Sequence, residues 1–174
     1  MDLQTFARRF LVPSSFVSVM CLIRDGAHVS SRAEVELSAS IRLARGTQIG
    51  AFCKIKAAGP LVIGENTHIG AGCFLGAGPG GLHIGDDCLI GPNCAIMTGE
   101  YRYARLGVPL RDQGTVSRGT RIGRNVLVGA NSVILDGTEV GDDVIIAAGS
   151  VVSGRIPSGT IAAGNPARVV FRRR

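Results

Sequence analysis

The residues able to ligate a metal or attack an electrophile are few: His28, His68, His83, Cys21, Cys53, Cys73, Cys88 and Cys94. Their spacing suits neither use. No Cys-x-x-Cys and no His-Glu-x-x-His occurs, so no metal site is expected. The densest chemistry lies instead between residues 98 and 119, where Tyr101, Arg102, Tyr103, Arg105, Arg111, Asp112 and Gln113 fall close together. The chain carries 17 Arg but only 2 Lys, for a net charge of +6. Such an excess attracts a phosphate-bearing ligand or an anionic membrane face. Nucleic acid is not expected, because no basic run precedes Arg172–Arg174 and no aromatic platform interleaves with the charges.

Something must hold these residues in place, and a repeat supplies it. Aliphatic residues recur at Val29, Val35, Ile41, Ile49, Ile55, Ile63, Ile69, Leu75, Ile84, Ile90 and Ile96, then from Ile122 through Val128, Ile134, Val140 and Ile146 to Val152. Most intervals are six. Six residues of helix advance about 600°, scattering successive members over three directions. In a strand, six is a multiple of two, so every member shares a face. The position two before each anchor should share it too, and there the residues run Ala27, Ala33, Ala39, Thr47, Cys53 and so on to Ser150, all small or apolar. None of these 34 positions is charged, although 18% of the chain is. The pattern predicts an all-β solenoid of short parallel strands, each coil burying its pairs on the next. It also accounts for Cys53, Cys73, Cys88 and Cys94 as small inward fillers, free thiols suited to a reducing compartment.

Intervals longer than six mark excursions. Residues near Ala58–Pro60, around Gly78–Gly81 and from Thr98 to Gly119 leave one edge on successive coils, and long loops inside a compact repeat are usually functional. A second edge carries small corners, Pro92-Asn93, Ala130-Asn131 and Ala148-Gly149. A third is acidic and polar, with Glu65, Asp86, Asp87, Asn125, Asp142 and Asp143. His28 and His68 fall on one face two coils apart, and His83 on another.

Segments such as VIGENTHIGAGCFLG, RIGRNVLVGANSVILDGTEVGDDVIIAAGSVV and IPSGTIAAGNPARVV resemble the hexapeptide-repeat acyltransferase family, in particular its sugar and polysaccharide O-acetyltransferase branch. The resemblance covers about residues 29–170. It implies a left-handed parallel β-helix of triangular section, a homotrimer, and acetyl-CoA as acyl donor without a metal. It implies transfer to a hydroxyl of a small-molecule or lipid-linked sugar acceptor, in the cytoplasm, with a weak membrane-face contact left open. By position, Ala130, Ala148, Ser153 and Arg168 are the coenzyme candidates, and Asn93, Arg102 and Arg111 the acceptor candidates. The family's catalytic histidine, five residues past its anchor in the long loop, is here Tyr101. Glu100, Tyr101 and His83 are therefore the alternatives for the base. A non-catalytic scaffold that lost the base, or an N-acyltransferase on an amino sugar, are the competing functions.

The expected organisation is a helical cap segment over 1–24, coils over 25–97, the inserted loop over 98–119, coils over 120–156 and a tail over 157–174. Leu3, Phe6, Phe10 and Leu11 could line one face of the cap. No stretch reaches the ~18 apolar residues of a membrane span. Leu11–Ile23 is broken by Pro13, Ser14, Ser15 and Ser18 and lacks a small-residue cleavage site, so no signal peptide is expected.

Overall fold

The computed structural model describes residues 13–174, and the apolar residues Leu3, Phe6, Phe10 and Leu11 lie outside them. One helix, α1 (Ser14–Asp25), is followed by short strands that stack into three parallel sheets, the three faces of a triangular prism. Coil by coil, Val29 pairs with Ile49 and Ile69 on the first face, Val35 with Ile55 and Leu75 on the second, and Leu61 with Leu82 on the third. Six strands stand on the second face and six on the third. The stack thus holds six full coils and opens a seventh with Thr160–Gly164, where the spacing alone gives between five and six. The coil that escaped the count closes at Ile156, only four residues after Val152. Residues 160–172 then fold as an antiparallel pair, Ala163 opposite Arg168.

Every inward position read from the period is buried except one, Ala39. The exception is a register error of two residues. Ile41 pairs with Leu61 and Leu43 with Ile63, so Leu43 is the anchor of that strand and Ile41 its inward companion. A shift of two preserves the face in a strand, which is why alternation alone could not expose it. With Leu43 as anchor, every departure from six falls on the corner between the second and third faces.

The small inward residues have a second duty. Thr67 Oγ1 donates to the Gly85 carbonyl at 2.8 Å, and the thiols of Cys53, Cys73 and Cys94 donate to the carbonyls of Gly70, Gly91 and Gly129 at 3.0, 3.2 and 3.2 Å. Each side chain ties its own coil to the corner glycine of the next, satisfying a carbonyl that the turn removes from the ladder. All five cysteines are free and buried, and burial pushes the Cys88 thiol up, keeping it a protonated donor. At the corners themselves, a Cβ on Gly91 would stand 2.6 Å from the Ala130 nitrogen. Only glycine permits that approach.

The acidic edge is not merely solvated. Asp86 and Asp142 accept backbone N–H bonds from Glu65 (2.7 Å) and Arg124 (2.9 Å) one coil away. Asn66 and Asn125 donate to Asp87 and Asp143. These Asn and Asp residues take positive φ, a conformation that short polar side chains tolerate best after glycine.

Helix α1 begins after Pro13, whose fixed φ suits a helix entry, and ends at Gly26 in the left-handed conformation. It buries Val17 and Cys21 and touches the first strand of all three faces, so it lies across the start of the stack. Phe16, Val19 and Ile23 remain exposed on its outer side.

Candidate active site

The long excursion leaves the second face at Met97 and rejoins the third at Thr120. Its two limbs pair as an antiparallel ribbon, Glu100 opposite Val116 and Tyr101 opposite Thr115. The Arg102 N–H extends the ribbon by donating to Gly114. The tip is organised by Gln113, which is buried: its amide nitrogen donates to the Arg105 and Val108 carbonyls (2.8 and 2.9 Å), and its oxygen accepts the Arg105 N–H (3.0 Å). The loop therefore has a definite shape. It presents Tyr101, Tyr103, Leu106 and Leu110 to solvent, together with Arg111 in a short 3-10 turn (Leu110–Asp112).

At the base of the ribbon Arg118 donates to the Glu100 carboxylate at 3.0 Å. Arg118 also takes its place in a groove of about 580 Å³ on the third face, with His83, Arg121 and Glu139 and a floor of Gly80, Gly81, Gly119 and Gly137. His83, Arg121 and Glu139 occupy the same outward position on successive coils, His83 opposite Arg121 and Arg121 opposite Glu139.

His83 is half-buried, and its Nδ1 is enclosed without a hydrogen-bond partner. Burial first, and the Arg121 guanidinium second, hold the imidazole below its ordinary 6.5, with Asp86 opposing them weakly. Protonation would also place an N–H on the enclosed Nδ1, where nothing accepts it. A neutral imidazole facing a groove at pH 7 can accept a proton.

The other sequence candidates fall on different parts of the prism. Asn93, Ala130 and Ala148 share the corner between the first and second faces, linked by the Asn131 N–H to Pro92 and the Gly149 N–H to Ala130. Asn93 thus sits with the coenzyme candidates and apart from Arg102 and Arg111, on the loop. Ser153 is exposed on the opposite corner of the second face, the loop's corner. Arg168 is exposed on the terminal hairpin, donating to the Ala167 carbonyl. His28 and His68 line a separate depression between α1 and the first face. Among the described residues no group of His, Cys, Asp and Glu could hold a metal ion.

Sequence reasoning overlooked Arg118 and gave no role to Arg121. Arg118 closes the loop, and its partner Glu100 opens it 18 residues earlier; only the ribbon pairing joins them. Arg121 was visible as the outward neighbour of an anchor, but its closeness to His83 depends on the 26-residue interval being a single loop.

Comparisons with known proteins agree with this architecture. Residues 119–154 match the "Bacterial transferase hexapeptide (six repeats)" family, and residues 60–80 and 81–120 the "Hexapeptide repeat of succinyl-transferase". The chain is 30% identical over 166 residues to "Probable acetyltransferase Rv3034c" of Mycobacterium tuberculosis, covering 95% of this chain and 55% of that protein. It is 36% identical over 114 residues to the galactoside O-acetyltransferase of Escherichia coli, covering 62% and 54%. The chain thus spans about half the length of these relatives. Among solved structures, AntD, an N-acyltransferase from Bacillus cereus in complex with dTDP and coenzyme A, superposes with a TM-score of 0.78 at 21% identity, covering 90% of this chain and 88% of that one. That likeness concerns the fold, a left-handed parallel β-helix.

Proposed function

Because the chain belongs to the hexapeptide-repeat transferases, we propose that it is an acetyl-CoA-dependent O-acetyltransferase acting on a sugar or a surface-polysaccharide precursor in the cytoplasm. The observation that carries this reading is His83, neutral and half-buried in a groove beside the inserted loop. The family's loop histidine is replaced by Tyr101, but a proton acceptor stands on the neighbouring face. In this reading His83 takes the acceptor's hydroxyl proton as its oxygen attacks the thioester carbonyl. The C–S bond then breaks, and the proton passes to the departing sulfur. Glu100 fits a positioning role better than that of base, since its carboxylate is engaged by Arg118 and its side chain is 45% exposed.

The coenzyme is assigned to the corner of Ala130 and Ala148, where small side chains let a pantetheine arm lie against the backbone. Ser153 and the loop lie across the second face from that corner. A groove joining the two therefore needs a neighbouring copy, which favours the homotrimer. Ala148 is exposed, so Ala148→Trp should leave the coils folded, since overpacking costs arise in filled cores. Wild type and variant should both sediment as trimers, and only wild type should retain coenzyme A by calorimetry. A monomeric wild type, or a variant that still binds, would misplace the groove.

The activity itself is tested by following thiol release from acetyl-CoA over a panel of sugars and amino sugars. Release with hydroxyl acceptors is expected. Amino sugars turned over to the exclusion of hydroxyls would favour N-acyl transfer, since a free amine needs less help from a base and the change at Tyr101 would then cost little. Coenzyme binding without release on any acceptor would favour a scaffold.

A further inference from the structure

The outward stripe of the third face runs Arg42, Val62, His83, Arg121, Glu139 and Arg155, one residue per coil about 4.8 Å apart. Glu139 is its single carboxylate. Among the described residues Arg121 forms no ion pair, although Arg118 beside it is matched by Glu100 and Arg124 below it approaches Asp142 at 3.7 Å. Two guanidinium groups and a partly desolvated imidazole thus face one groove whose floor is glycine backbone. A guanidinium fork matches phosphate oxygens in pairs, and a floor without side chains lets a bulky tetrahedral group descend to it.

We propose that the groove of His83, Arg118 and Arg121 binds a phosphate or diphosphate group, with Arg121 as the principal ligand. Two molecules of the proposed reaction could bring that group, a phosphorylated acceptor or coenzyme A itself. The inference rests on the acyl-transfer reading only for the ligand's origin. The binding follows from the groove and can be measured on a protein that transfers nothing.

The charges around His83 supply a second readout. Arg121 and Arg118 disfavour its protonation, while Asp86, Glu139 and the more distant Glu100 favour it. An anion seated on Arg121 cancels the nearest opposing charge, so it should raise the pH at which His83 titrates.

The probe is inorganic pyrophosphate, added to the full chain at low ionic strength. Calorimetry should show binding that weakens with added salt. Arg121→Gln should weaken it about tenfold or more, as loss of a charge-assisted contact requires, with an unchanged melting temperature. The ring-proton resonances of His83 should titrate at higher pH when pyrophosphate is bound. Displacement by coenzyme A would assign the group to the donor. Displacement by a nucleoside-diphosphate sugar, with coenzyme A binding independently, would assign it to the acceptor. Absence of binding, equal binding by Arg121→Gln, or an unmoved His83 titration would each overturn the proposal, whether or not acetyl transfer had been detected.

Discussion

His83→Gln is expected to lower turnover by about 10²–10⁴-fold, the usual cost of removing a general base, while leaving coenzyme affinity unchanged. Glutamine keeps roughly the size and one polar end of the imidazole, so the groove should survive. It cannot take a proton. The pH profile gives an independent check. A base works only when deprotonated, and both burial and Arg121 hold His83 below 6.5. Activity should therefore be level above pH 6.5 and fall only at lower pH. Arg121→Gln removes one of the two causes and should move that acid limb upward. If His83→Gln turns over like wild type, the base lies elsewhere and Glu100→Gln becomes the decisive variant. If the acid limb sits above 6.5, the group being titrated is not this imidazole.

Ile84→Ala should cost about 2–5 kcal/mol of stability, the range for truncating a large aliphatic side chain in a packed core. Ile84 is fully buried and is stacked between Ile63 and Ile122. It has no means of relaxing, because the coils above and below are pinned by backbone ladders on three faces. Urea unfolding read by far-ultraviolet circular dichroism measures the loss. The exposed neighbour Arg121→Gln is the control and should shift the midpoint little. A cost for Ile84→Ala below about 1 kcal/mol would mean that the stack collapses onto cavities, contrary to the rigid packing described above.

The prism was legible in the sequence because its rule is local. Six residues, two inward and never charged, suffice to announce each strand, and the anchors from Ile49 to Val152 all fall where the period puts them. The rule fails where two registers satisfy it equally. Ile41 and Leu43 are both aliphatic and both inward, so spacing could not tell anchor from companion. It fails again at Val152–Ile156, where a four-residue turn through Gly154 replaces six, and at the antiparallel return of residues 167–172, which obeys no period of six.

The site was less legible for a different reason. Asn93, Ala130 and Ala148 could be grouped because one corner repeats every coil. Glu100 and Arg118 could not, since their ion pair depends on how the loop folds back on itself. The lowered basicity of His83 likewise needs Arg121 one coil away and an enclosed Nδ1, neither of which can be read from its neighbours in the chain.

All insertions and the one shortening share a single corner, and the other two corners keep six residues throughout. The prism is thus indifferent to what is written at its third corner. A loop there can lengthen, shrink or exchange a histidine for a tyrosine without disturbing any inward pair or any hydrogen bond between coils. Chemical change at that corner is silent to folding. A lineage carrying this scaffold can discard one proton acceptor and recruit another from the adjoining face while every intermediate along the way stays folded.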